Sequence, residues 1–491
     1  MERGYIGIDF GTTNLKTAVF SQTGELLACL RSSTPKPARG GGGYCPDEVF
    51  GLIESQLRQL SRSYSFEGIA VTGMAEAGIL LERGTLKPLS GIIPWFDQCT
   101  GPMAQALEGQ ARAAFLQTGL RNSYKYGAYK YRWALDAAQR AAQGTIWLSA
   151  CDWLVMRLTG ACVTDPTFAA RTYLYDIGLG TWSHERMELF GLAGGGLPEI
   201  MPSGSRAGFL RAGWLPGAGH VPVALCGHDH LCAALAAAHS RPGSICNSMG
   251  TAETFVGTRA ARPLQAVDFE AGLTWGPFVR PGRQYWMANI PSAGLCMEWV
   301  RCALPGHEIS YEEVERALEK SAGPAQAMFF PWLSGTGTPT YRADLGGVFW
   351  GLTPACGWGE MVNAVVEGLS LWERCVLACV PQAEQAPVCA AGGACRSAAW
   401  MQRKADVLHR DVFCSGIQEG TLLGAVELMC EVCGLPFVPP KDRGRLFRPE
   451  AGAAERYDGI YSRYLEIAGM IQNRKGGDRY DGNHDKDMEI E

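Results

Sequence analysis

The feature that most narrows the possible folds is a phrase that occurs twice. Tyr5 to Phe10 reads as a strand, Gly11-Thr12-Thr13-Asn14 as a tight turn, and Leu15 to Phe20 as a returning strand. Gly243-Ser244-Ile245-Cys246-Asn247-Ser248 repeats the strand, Met249-Gly250-Thr251-Ala252 the turn, and Glu253 to Gly257 the return. Each occurrence opens about half of the chain. We read this as an internal duplication that produces two similar α/β domains, over 1–239 and 243–473, joined near His239-Ser240-Arg241-Pro242. In the first half the meander continues through Ser21-Gln22-Thr23-Gly24 to a third strand, Glu25 to Arg31. A Pro/Gly-rich loop, Pro35 to Gly43, an amphipathic helix, Glu48 to Leu60, and a strand, Gly68 to Gly73, follow. From about Arg474 the sequence turns polar, so a disordered tail is expected over 474–491.

A chain of 491 residues with 47 % apolar and 19 % charged residues has the material for two or three buried cores. A net charge of −5 gives no basic field for nucleic acid or a membrane surface. No apolar run reaches the ~18 residues of a membrane helix, and Met1-Glu2-Arg3-Gly4 leads straight into a strand with no signal peptide in view. A cytoplasmic location with reduced thiols is therefore expected for the 18 cysteines. The single C-x-x-C, Cys430-Glu431-Val432-Cys433, lies in a helical pattern before Gly434 and reads as helix packing, not a metal site.

The two turns carry the first chemical signal. A glycine hairpin turn exposes backbone N–H groups, and threonine hydroxyls add donors, a combination that holds phosphate oxygens. Asp9 stands two residues before the first turn, at the end of a strand, where a carboxylate can hold Mg²⁺ through water. The spacing G-x-x-x-x-G-K-[ST] is absent, so this is not a Walker loop. Alone, Gly11-Thr12 also reads as an ordinary hairpin. Its repetition at Gly250-Thr251 gives a pair of turns, one per domain, suited to clamp a triphosphate. A third segment, Pro387 to Ser397, runs from an apolar strand through Gly392-Gly393-Ala394 into a helix from about Ala398 to Leu408. The glycine pair lets backbone approach a flat ligand, and the helix N-terminus favours negative charge. The G-x-G-x-x-G spacing of a dinucleotide fold is missing. The fourth segment is Cys226-Gly227-His228-Asp229-His230, between the apolar run Val221 to Leu225 and a helix, Leu231 to Ala238. Asp229 reads either as the N-cap of that helix or as an ionised base for a hydroxyl proton during phosphoryl transfer.

With these segments in order, the chain resembles the FGGY carbohydrate kinases of the actin and hexokinase ATPase superfamily, from about Tyr5 to about Ala468. Gly7-Ile8-Asp9-Phe10-Gly11-Thr12-Thr13-Asn14-Leu15-Lys16 is similar to the family's first phosphate motif, and Ser248-Met249-Gly250-Thr251 to its second. Gly227-His228-Asp229 is similar to the segment that carries the catalytic base. Gly392-Gly393-Ala394 with Ser397, Trp400, Gln402 and Ala405-Asp406-Val407 is similar to the adenosine motif. Gly347 to Leu352, followed by Glu360-Met361 and Ala364-Val365-Val366-Glu367, resembles the second family signature.

The resemblance implies two ribonuclease-H-like (actin-like ATPase) domains flanking a deep cleft, with ATP and Mg²⁺ as cofactors and a small sugar or polyol as substrate. It implies Asp229 as catalytic base and Asp9 as the Mg²⁺ residue. Gly11, Thr12, Thr13, Asn14, Lys16, Gly250 and Thr251 would hold phosphates, and Gly392, Gly393, Ala394 and Ser397 the adenosine. Trp95-Phe96-Asp97-Gln98 matches the family's Trp-x-Asp sugar-contact segment, which adds Trp95 and Asp97 to Glu76 and His228 as substrate residues. Two departures stand out. Lys130-Tyr131-Arg132-Trp133 keeps only part of the first family signature. Gly73-Met74-Ala75-Glu76-Ala77-Gly78 replaces the Gln-Met-His-Gly segment of xylulose kinases. Glu76 therefore reads either as a selectivity residue or as a solvated loop carboxylate. A homodimer is compatible with this reading. The rival readings are an actin-like ATPase that is not a kinase and a sugar-sensing regulator on the same fold.

Overall fold

Strand β1 (Glu2–Phe10) is apolar on both faces, with Tyr5, Ile6, Ile8 and Phe10 fully buried, the pattern of a strand covered by helices on both sides. It turns back into β2 (Asn14–Phe20) and on to β3 (Leu26–Ser33), the expected meander with each strand one to three residues longer or shifted. β4 (Tyr64–Gly73) then lies parallel on the other side of β1, followed by β5 (Arg206–Phe209) and β6 (Pro222–His228). The sheet order is β5-β6-β4-β1-β2-β3. A second sheet repeats the scheme with β7 (Ile245–Met249), β8 (Glu253–Ala260), β9 (Thr274–Pro277), β10 (Arg283–Ile290), β11 (Val388–Gly392), β12 (Val412–Cys414) and β13 (Arg445–Phe447), in the order β9-β10-β8-β7-β11-β12-β13. In both sheets the first strand sits between its antiparallel hairpin partner and a parallel strand that arrives much later in sequence. The computed structural model describes residues 1–473 except 39, 214, 216, 217, 305, 322 and 381–384. The expected polar tail over 474–491 lies outside the described residues.

One side of the first sheet is covered by α1 (Pro46–Leu60) and α2 (Ala150–Thr159). α1 starts two residues before the sequence pattern indicates, because Pro46 suits the first helical turn, where its missing N–H costs nothing. Its buried Val49, Phe50, Ile53, Leu57 and Leu60 recur every three or four residues and meet Ile6, Ile8 and Leu15 of the sheet. A short helix, α3 (Pro166–Ala170), lies beyond. α4 (Asp229–Ser240) closes the first half.

The second half contributes α5 (Ala293–Glu298), α6 (Tyr311–Lys320), α7 (Trp358–Ala378), α8 (Ala398–Leu408), α9 (Gly420–Cys433) and α10 (Ala453–Gln472). α7, α8 and α10 share one large core with the second sheet. α9 does not follow its half. Leu422, Leu423, Met429 and Cys430 lie in one buried cluster with Tyr5, Phe20 and Ala70 of the first sheet and with Leu231 and Leu235 of α4. Gly424 permits the crossing of α9 and α4, since a Cβ there would lie 2.0 Å from the Cys232 carbonyl oxygen. On α9, Cys430 is buried and Cys433 half-buried.

Candidate active site

Phe10, Gly73 and His228 are in register across the three parallel strands of the first sheet. Asp9, the segment after β4 and Asp229 therefore gather at one sheet edge, the carboxyl end of parallel strands, where α/β folds bind ligands. Asp229 is not the N-cap of α4. His228 occupies the cap position, and Asp229 is the first helical residue. Its Oδ1 accepts the neighbouring His230 N–H at 2.6 Å and lies 3.1 Å from His228 Nε2. Backbone contacts fix the segment. The Thr72 hydroxyl donates to the Gly227 carbonyl at 2.6 Å, and the His228 N–H donates to Thr167 Oγ1 at 3.0 Å. Burial opposes ionisation of Asp229, but the two imidazoles and the His230 N–H outweigh it and hold the carboxyl down at about 2.

Asp9 is the opposite case. Burial, and then the Asp229 charge, push its carboxyl well up from the ordinary range. Its Oδ1 is buried with no hydrogen-bond partner among the described residues. An unpartnered carboxylate oxygen beside a second acid suits a hard divalent cation, so the residues fit Mg²⁺. Lys16 is held by Glu419, the residue preceding α9, at 2.6 Å, and the same carboxylate takes Arg31 at 2.9 Å.

Both hairpin turns are braced through their carbonyls. In the first, Gly11 N–H donates to Asn14 O at 3.1 Å, and Thr34 binds the carbonyls of Gly11 and Thr13 at 2.8 and 2.9 Å. Trp95 Nε1 donates to Thr12 Oγ1 at 2.9 Å, which docks the Trp95 loop on the turn. In the second, N–H groups of Gly294 and Leu295 in α5 donate to the carbonyls of Gly250 and Thr251 at 3.1 and 3.2 Å. Gly250 and Thr251 themselves are exposed.

Of the glycine pair, Gly392 answers to the sheet. It pairs with Met249, its φ is +131°, and a Cβ would lie 2.1 Å from the Met249 carbonyl oxygen. Gly393 faces open space. Gly393–Arg396 form a 3₁₀ turn that includes Ala394, and Ser397 caps α8 by accepting the Trp400 N–H at 3.1 Å. The negative charge that this helix start favours comes from the chain itself. Glu315 of α6 already accepts the Ser397 hydroxyl and the Ala399 N–H, the latter at 2.9 Å.

Glu76 is not a solvated loop carboxylate. Its side chain is 8 % exposed and is held by the guanidinium of Arg171, which is 5 % exposed, with Lys125 3.9 Å away. Against burial, Arg171 and Lys125 hold Glu76 at about 2. Arg171 also donates to the Tyr285 hydroxyl of β10 at 3.3 Å, linking the first half to the second sheet. Lys130 is fully buried and donates to the carbonyls of Glu76 and Lys125 at 2.9 and 2.7 Å; burial lowers it to about 7. Asp97 spends its carboxylate on the N–H groups of Gly41 and Cys99, both at 2.9 Å, whereas Trp95 is 38 % exposed at the edge. Arg171, Lys125, Tyr285 and Glu419 escaped sequence reasoning because no local motif marks them.

The model of the N-terminal domain of the FGGY family of carbohydrate kinases matches residues 4–236, and that of the C-terminal domain matches residues 245–430. The glycerol kinase of Limosilactobacillus reuteri (strain DSM 20016) is 27 % identical over 450 residues, covering 87 % of this chain and 89 % of that protein. Among solved structures, the gluconate kinase from Lactobacillus acidophilus superposes with a TM-score of 0.87 at 19 % identity, covering 97 % of this chain and 99 % of that one. The ligand-bound xylulose kinase from the same organism gives 0.87 at 19 % identity, covering 96 % and 99 %. These neighbours share the actin-like ATPase fold with its two sheet-containing domains. With both family domains matched in order over most of its length, the chain belongs to the FGGY family of carbohydrate kinases.

Proposed function

We propose that the protein transfers the γ-phosphoryl group of Mg-ATP to a hydroxyl of a small sugar or polyol, with Asp229 as the base. The observation that carries this reading is the pair of acids at one sheet edge, Asp229 held ionised and Asp9 buried with an unpartnered oxygen. Asp229, its side chain 26 % exposed, is open to an acceptor hydroxyl, orients it and takes its proton as the phosphoryl group arrives. Asp9 holds Mg²⁺, which neutralises phosphate charge when bound. N–H groups of Thr12, Thr13 and Thr251 cradle the phosphates, while Gly11 and Gly250, whose own N–H groups close their turns on the Asn14 and Ala252 carbonyls, shape the two loops, and Asn14 and Lys16 support the first. The open backbone at Gly393-Ala394, next to Ser397, receives the adenosine. In this reading 1–239 bind mainly the acceptor and 243–473 mainly the nucleotide.

The acceptor lies among Glu76, Trp95, Asp97 and His228, with Arg171 and Lys125 beside Glu76. The relatives are named for glycerol, gluconate and xylulose, and the fold they share does not choose among these. The side chains do limit the choice. Ala75-Glu76 replaces the Met-His of the xylulose kinase segment, and an ion-paired carboxylate discriminates by the polar groups a wrong substrate leaves unpaired. D-Xylulose is therefore not the best substrate. A screen of ketoses, deoxyketoses, tetritols and sugar acids with ATP tests this, and the highest kcat/KM on D-xylulose would refute it.

The decisive variant is Asp229→Asn. Asparagine keeps an Oδ1 that can accept the His230 N–H, so the helix start is unchanged and the melting temperature stays near wild type. Asparagine cannot take the proton, so kcat falls by about 10²–10⁴-fold while nucleotide affinity is retained. A purified variant that keeps more than about a tenth of wild-type kcat, far above what loss of such a base allows, removes Asp229 from the mechanism.

A further inference from the structure

Lys404 of α8 is completely buried beneath the second phosphate turn. Its Nζ lies 2.6 Å from Asn247 Oδ1, 2.6 Å from Glu253 Oε1, 3.0 Å from Glu373 Oε2 and 3.7 Å from Met249 Sδ. Asn247 and Met249 stand on the same face of β7, two residues apart. Glu253, the first residue of β8, is the cross-strand partner of Met249. The ammonium thus grips both legs of the hairpin whose tip is Gly250-Thr251. Lys404 is carried by the helix that Ser397 caps, directly after Gly393-Ala394, and Glu373 brings in α7.

We propose that Lys404 is a positioning residue for the nucleotide, locking the second phosphate turn to the helix that follows the adenosine segment. The proposal rests on the nucleotide placement given above. A lysine is a costly way to fill a core, since replacing a buried ion pair by apolar groups of similar volume is often neutral or stabilising. What the cation adds is geometry: three hydrogen-bonding donors in one place draw oxygens from three segments together. A turn that binds phosphate through backbone N–H groups needs such fixing, because binding constellations lose their effect when misplaced by more than about 0.5 Å.

The charges in this cluster identify the members that do the holding. One cation faces two carboxyl groups, and ionising both would bury an unbalanced charge. Burial and the neighbouring Glu253 keep the Glu373 carboxyl well above the ordinary range, so Glu373 is the protonated member. Against burial, Glu253 first of all holds Lys404 up at about 12. Glutamine therefore replaces Glu373 group for group, a neutral side chain of the same shape that keeps an oxygen beside Lys404 Nζ, where Glu373 Oε2 lies at 3.0 Å. Lys404→Met alone would leave Glu253 a lone buried acid. The pair Lys404→Met with Glu253→Gln removes both charges together and keeps the volume.

Calorimetric binding of the Mg complex of a non-hydrolysable ATP analogue, with melting temperatures, tests this without any acceptor sugar. For Lys404→Met/Glu253→Gln the expected result is a melting temperature close to wild type and a Kd raised at least tenfold. For Glu373→Gln both quantities stay at wild type. Wild-type affinity in a folded double variant overturns the proposal. So does an equal loss of affinity in Glu373→Gln, which would mean that any change of packing there suffices. If the wild-type protein itself fails to bind the analogue, the nucleotide placement falls, and this inference with it.

Discussion

Glu427 on α9 shows how one residue's surroundings set a property of the whole protein. Burial pushes its carboxyl up to about 7, Arg280 opposes the rise and Glu431 adds to it. His239 Nδ1 lies 3.6 Å from Oε1, and Oε2 has no partner among the described residues. A folded-state value above the unfolded one means that the fold prefers the protonated acid. The stability this group contributes is whole below about pH 4.5 and is lost as the pH climbs through about 7. Glu427→Gln keeps the neutral form at every pH. Its melting temperature relative to wild type should be flat near pH 5 and higher at pH 8, and thermal unfolding at the two values decides it; no relative gain at pH 8 would count against the assignment. At this scale legibility followed contiguity. Asp9 with Gly11-Thr12, and Gly227 to Asp229, are short stretches whose chemistry reads off a line of sequence. Glu76 was visible as an oddity. Its partners Arg171 and Lys125 arrive from separate segments and only the fold brings them to it.

Among the elements, the strand–turn–strand phrases were the legible part, because alternation and glycine turns are local properties. Boundaries were less so. β4 begins at Tyr64 and not near Gly68, since Tyr64, Ser65 and Phe66 pair with β1 although they lack the apolar run that follows. The acid that meets the start of α8 was not legible, because Glu315 comes from α6, 82 residues before Ser397. The two glycines after β11 give a paired prediction. Gly392→Ala places a methyl group against the Met249 carbonyl at a φ that only glycine adopts readily, so it lowers the melting temperature. A Cβ at Gly393 meets nothing within 4 Å, so Gly393→Val should fold normally and raise the KM for ATP far more than that for the acceptor. Steady-state kinetics beside a melting curve separates the two, and an unchanged ATP KM in Gly393→Val would move the adenosine elsewhere.

For the whole molecule, the two sheets each carry one phosphate turn, and contacts such as Lys16–Glu419 and Arg171–Tyr285 join the halves at the site. Closure over bound ligands should bring the turns together and exclude water. X-ray scattering should show a smaller radius of gyration with acceptor and a non-hydrolysable nucleotide together; an identical radius at saturation refutes closure. The duplication was legible in sequence, but the exchange of α9 was not, since an apolar helix does not say which sheet it will cover. That exchange constrains how such a gene can be recombined. A chimaera joining residues 1–239 of this chain to the second half of a relative would set the relative's helix, not Gly420–Cys433, under Tyr5, Phe20 and Ala70. Swapping acceptor preference between relatives therefore requires the crossover to be made twice, with α9 travelling alongside the half that it follows last in sequence and touches first in space.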